Sequence, residues 1–132
     1  MMLLASHWGA ACVGQPYAPP EQDCWGFFRR VQAEHFGLLL PEISIDAGDV
    51  PAIARAFRDQ PERVHWQEVA RPVEGDAVLM GRCRVPVHVG TWIDADGGGV
   101  LHCERSLGVI FSTPAALRRV GWSLIRYYRR SP

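Results

Sequence analysis

The 132-residue chain lacks several features that would narrow its role at once. Its four cysteines, Cys12, Cys24, Cys83 and Cys103, form no CxxC pair. Structural zinc sites usually space ligands two to four residues apart, so a centre built from Cys83, His88, His102 and Cys103 is not expected. Net charge is also missing, since 14 basic residues balance 14 acidic ones. That balance gives no support to a nucleic-acid partner. No apolar run approaches the roughly 18 residues needed to span a membrane. The opening Met1-Met2-Leu3-Leu4-Ala5 is apolar but has no basic segment before it. It does not read as a signal peptide, so disulfides are not expected and Cys12 and Cys103 read as small buried hydrophobes. There are no repeats and no low-complexity tracts. The length fits a single domain over residues 1–132 with a core of its own.

What the chain does have is a cysteine in a telling place. Cys24 stands in Asp23-Cys24-Trp25-Gly26 and opens a helical stretch with apolar Phe27, Phe28, Val31 and Phe36. Asp23 can cap this helix and Gly37 can end it. A thiol there meets the partial positive charge and free N–H groups of a helix start, which favour thiolate. The helix start and His88 should both hold the pKa of Cys24 below the ~8.5 of a free thiol, so Cys24 should be the most reactive of the four. Far downstream lie His88, in Val87-His88-Val89-Gly90, and His102, in Val100-Leu101-His102. An imidazole beside the thiol can take its proton, and a third group can orient that imidazole. Cys24, His88 and His102 are thus the candidate catalytic residues. His7, His35 and His65 have no motif around them, Asp23 reads as a cap, and Asp76 reads as a turn residue.

The other elements follow from local signals. Residues 2–13 suggest a short first helix. The span 13–22 holds Gly14, Pro16, Pro19 and Pro20 and reads as a loop. Pro51 to Arg58 reads as a second short helix. Trp66 to Ala70 reads as extended, Pro72 to Asp76 as a turn, and Ala77 to Met80 as a strand. Val85 to Ile93 and Gly99 to Cys103 read as strands joined by Asp94-Ala95-Asp96-Gly97-Gly98. Symmetric pairing about Ala95 sets His88 opposite His102. A two-residue shift makes them diagonal neighbours, and a one-residue slip puts them on opposite faces. Val109 to Phe111 reads as a strand, Thr113 to Leu117 as a capped helical turn, and Trp122 to Tyr128 as a strand. The basic residues Arg118, Arg119, Arg126, Arg129 and Arg130 read as a solvated helix face. The fold class that follows is α+β, with N-terminal helices packed on an antiparallel sheet.

These motifs resemble the NlpC/P60 family of papain-like cysteine peptidases, across nearly the whole chain. Asp23-Cys24-Trp25-Gly26 is similar to the family's nucleophile motif. Gly75-Asp76-Ala77-Val78 is similar to its turn before the first sheet strand, His88-Val89-Gly90-Thr91-Trp92 to its base motif, and Val100-Leu101-His102 to its third-residue strand. Tyr17 resembles a tyrosine upstream of the nucleophile. Trp25, Phe36-Gly37 followed by Pro41, and the ending Trp122 to Arg130 resemble the tail-assembly proteins of tailed phages and gene transfer agents. The resemblance implies a peptidase or amidase that cuts peptidoglycan stem peptides, usually between D-glutamate and a diamino acid, without a cofactor or metal. Tyr17 and Trp25 would then contact substrate. It further implies a place at a tail tip among other tail proteins, in the virion or in the host cytoplasm before assembly. Two departures bear on the groove: secreted members usually carry Ser where Trp25 stands, and a Gly-Gly pair where this chain has Ala18-Pro19-Pro20-Glu21-Gln22. A structural tail-tip subunit with a hydrolase fold, or a thioester-forming acyltransferase, are the other readings the residues allow.

Overall fold

A computed structural model describes residues 1–43, 55 and 58–132. The helix expected over 51–58 lies for the most part outside the described residues. The N-terminal segment is not the α-helix expected over 2–13. It forms two 3-10 turns, Leu4–Ser6 and Trp8–Ala11. The break between them has a local cause: the His7 ring accepts the Gly9 N–H at 2.8 Å, a side-chain bond that competes with a continuous helical ladder.

Helix α1 spans Cys24–Phe36. Asp23 caps it, with Oδ1 accepting the Gly26 N–H at 2.7 Å. Gly37 ends it in the left-handed region at φ 66°, a conformation that costs glycine nothing. The helix buries Trp25, Phe27, Phe28, Val31 and Gln32, whereas Phe36, expected on the apolar side, is 38% exposed. Gly26 has to be glycine for lack of room. A Cβ there would stand 2.2 Å from the Glu21 carbonyl oxygen.

Among the described residues six strands follow: β1 Trp66–Val69, β2 Ala77–Gly81, β3 His88–Ile93, β4 Gly99–Glu104, β5 Gly108–Ser112 and β6 Leu124–Arg130, with helix α2, Pro114–Arg119, between the last two. They form one sheet in the order β1-β6-β2-β3-β4-β5, with every neighbouring pair antiparallel. Strand β3 starts three residues later than the apolar run that suggested it. Helix α1 packs on β3 and β4 through Phe27, Val31, Ile93, Leu101 and Cys103. Val78, Met80, Trp92, Val100, Leu117 and Trp122 form a second cluster. Among the described residues no helix is long and apolar enough to cross a membrane.

The C-terminal arginines lie partly on a strand, not on a helix face. Arg129 of β6 grips the Asp76 carboxylate in a two-pronged contact at 2.9 and 2.7 Å. Arg130 pairs with the buried Glu62 at 3.0 Å. Asp76 thus keeps its turn role, accepting the Val73 N–H at 2.8 Å, and adds an anchor for the last strand.

Candidate active site

The β3–β4 hairpin decides whether the two histidines meet. The pairs are Thr91–Leu101, Trp92–Val100 and Ile93–Gly99. This is the register shifted by two from symmetry about Ala95. Carried one step on, it sets Gly90 opposite His102 and leaves His88 as the diagonal neighbour on the same face. His102 reaches His88 across a residue with no side chain. The His88 Nε2 and His102 Nδ1 atoms lie 2.8 Å apart. A Cβ at Gly90 would come within 2.5 Å of Val100 Cγ1 and 2.9 Å of His102 Cβ. We expect Gly90→Ala to cost about 1–3 kcal/mol of stability by overpacking and to separate the imidazoles. Urea unfolding beside an activity assay checks both.

His102 Nε2 lies 3.0 Å from Ser112 Oγ, so the contacts run His88–His102–Ser112. Tautomers follow from this chain. For His88 to accept a proton at Nδ1, its Nε2 must carry hydrogen and donate to His102 Nδ1. His102 then carries its hydrogen on Nε2 and donates to Ser112. Among the described residues, no buried side-chain nitrogen or oxygen lacks a hydrogen-bond partner. No sequence motif marks Ser112, because a serine before Thr113-Pro114 looks only like part of a helix cap.

Cys24 and His88 line one cavity of about 180 Å³ with Tyr17, Arg82, Glu104 and Trp122. Tyr17 is therefore at the site. The Trp122 ring stacks on His88 at 5.1 Å between centroids and 12° between planes. Arg82 lies 3.7 Å over the same indole. Trp25, expected to contact substrate, does not line this cavity. It is buried in the core, and its Nε1–H donates to the Pro41 carbonyl at 2.9 Å. Helical geometry turns the residue after Cys24 away from it.

The electrostatics correct one expectation. The helix start does not hold the Cys24 thiol low. Burial, then the Asp23 charge, push it up to about 12, while the N–H groups of Val89 and Trp25 pull the other way. Solvent entering the cavity offsets part of the push, since Cys24 is only half-buried. Burial, then His102 and Arg82, hold His88 well below its ordinary 6.5. Burial brings His102 down to about 4. The resting pair is thus neutral thiol and neutral imidazole, and the ions form only together. Cys83 is exposed, so we expect alkylating reagents to label it ahead of Cys24 near neutral pH. Peptide mapping after brief iodoacetamide treatment measures this.

His88, His102 and Glu104 bring potential ligand atoms within 4.8 Å of one another. Two imidazoles bound to one zinc, each at about 2.0–2.1 Å, would hold their nitrogens more than roughly 3 Å apart. The 2.8 Å separation instead matches a hydrogen bond.

No family model and no curated protein matches the sequence. Among solved structures, the chain matches the NlpC/p60 domain of the peptidoglycan hydrolase SagA. Identity is 19%, the match covers 94% of this chain and 92% of that one, and the TM-score is 0.56. The chain has the NlpC/p60 fold. The α+β class expected from the sequence is therefore correct, with N-terminal helical elements ahead of an antiparallel sheet. In this NlpC/p60 fold the helix start presents Cys24, β3 presents His88, and β4 and β5 supply His102 and Ser112.

Proposed function

We propose that this protein is a cysteine peptidase or amidase that cuts peptidoglycan stem peptides. The observation that carries the reading is one cavity holding Cys24 and His88, with His88 backed by His102 and Ser112. The fold shared with a domain of a peptidoglycan hydrolase supports the substrate class. In the first step Cys24 Sγ attacks the peptide carbonyl carbon as its proton passes to His88 Nδ1, the ring nitrogen left free by His102. The Cys24 backbone N–H, at the helix start, helps hold the oxyanion. His88 then gives the proton to the leaving amine, and water releases the acyl group from sulfur. His102 fixes the tautomer and plane of His88, and Tyr17 contacts the substrate from the cavity wall. Incubating the protein with peptidoglycan fragments and weighing the products tests the reading. New stem-peptide cuts support it; intact fragments, or acyl transfer to an amine in place of water, overturn it.

We further propose that the protein acts at a phage or phage-like tail tip, with other tail proteins as partners. The residues that suggest this are Trp25, Phe36-Gly37 followed by Pro41, and the ending Trp122 to Arg130. Two of them form one unit, in which the Trp25 indole holds the Pro41 carbonyl and Arg29 Nε donates to the Leu40 carbonyl at 2.7 Å. That unit fixes the chain after α1 and leaves the cavity untouched. Proteomics of purified particles decides the point. Recovery of the protein with tail components supports it, and its presence only free in lysates counts against it.

A further inference from the structure

Proton transfer from Cys24 makes His88 an imidazolium, and His102 cannot offset that charge. It is buried and neutral, so it orients its partner without bearing a negative charge. The cavity's cations, Arg82 and Arg105, oppose an imidazolium. Tyr17 and Cys103 are neutral. Two anions remain, Asp23 and Glu104. Asp23 adjoins Cys24 in sequence, and its Oδ1 is committed to the helix cap. Its charge disfavours the thiolate.

Glu104 is placed differently. It ends β4, two residues after His102 and so on the same side of the strand. An oxygen of its carboxylate lies within 4.8 Å of a ring nitrogen of both His88 and His102. Trp122 fixes it there. The indole Nε1–H donates to Glu104 Oε1 at 3.3 Å while its ring stacks on His88. One tryptophan therefore orients both members of a prospective ion pair.

We propose that Glu104 is the counter-ion of the His88 imidazolium, a positioning residue that acts through His88. This rests on His88 being the base for Cys24. The charge balance is simple. One proton leaves Sγ and arrives on Nδ1; the thiolate repels Glu104 and the imidazolium attracts it. The Glu104 carboxylate lies within 4.8 Å of a His88 ring nitrogen, and at that range the attraction favours the imidazolium.

The test is the rate at which iodoacetamide alkylates Cys24, resolved from Cys83 by peptide mapping across neutral to alkaline pH. It needs no substrate, so it reads this proposal separately from the hydrolase assignment. Glu104→Gln keeps an acceptor for Trp122 and removes only the charge. It should slow Cys24 alkylation near neutral pH about tenfold and move the pH profile to higher pH, while Glu104→Asp keeps most of the rate. In a His88→Ala background Glu104→Gln should not slow the reaction, because losing an anion then only favours the thiolate. Alkylation in E104Q as fast as in the parent, or the same slowing with and without His88, would overturn the proposal.

Discussion

Cys24→Ala should fold normally and lose at least roughly a thousandfold in hydrolysis of peptidoglycan fragments, because among the described residues no other nucleophile shares the cavity with His88 in a comparable position. The competing thiol is Cys103. It lines the same cavity, but its residue surface is 0% exposed, its S–H is bonded to the Gln22 carbonyl at 3.3 Å, and burial pushes it up to about 11. Cys24→Ser should fail nearly as completely. A hydroxyl is harder to deprotonate than a thiol, and a depressed His88 is a weak base for it. His88→Ala should match these losses, since residues acting as a unit do not contribute additively. Retained turnover in the alanine variant at Cys24, with thermal unfolding unchanged, would remove Cys24 as nucleophile.

The parts of this site that were legible in the sequence are those set by short-range rules. A cap at Asp23, a glycine stop at Gly37 and a proline at the first turn of α2 each act within a few residues, and each is present. The shared face of His88 and His102 needed only the parity of strand positions, which survives a shift of two. Exact register did not follow. The connection centres on Asp96, at φ 50°, followed by Gly97 and Gly98 at φ 85° and 104°. Asp96 is further tied down by the Leu4 N–H, 92 residues away. Ser112 and Glu104 join the histidines only through that register and through β4–β5 pairing, so no spacing rule exposes them. The raised pKa of the Cys24 thiol has a related cause. The helix start is a local feature, but desolvation of Cys24 comes from the sheet and loops packed around it. Trp25 reads either as a core aromatic or as part of the groove, and helical geometry, which turns the residue after Cys24 away from the thiol, favours the core.

Acidification should unfold this protein by way of its buried histidines. His102 falls from an ordinary 6.5 to about 4 in the fold, and His88 is shifted in the same direction. For a histidine with a depressed folded pKa, the unfolded chain takes up the proton first. The stabilisation is therefore complete above the unfolded value of about 6.5 and is lost as pH falls toward the folded one. At 1.36 kcal/mol per unit, His102 alone accounts for about 3 kcal/mol, most of it gone by about pH 4.5. Glu74, pushed up by burial but brought below its ordinary value by the Asp94 N–H and His7 together, adds loss at still lower pH, while Asp23, raised by burial, works against it. Urea midpoints taken near pH 7.5 and pH 4.5 should thus differ strongly in the natural sequence. His102→Gln, which can still bond His88 and Ser112 but cannot titrate, should flatten the dependence while lowering stability at neutral pH. An unchanged pH slope in that variant would show that the acid sensitivity arises elsewhere and that His102 is not held neutral by the fold.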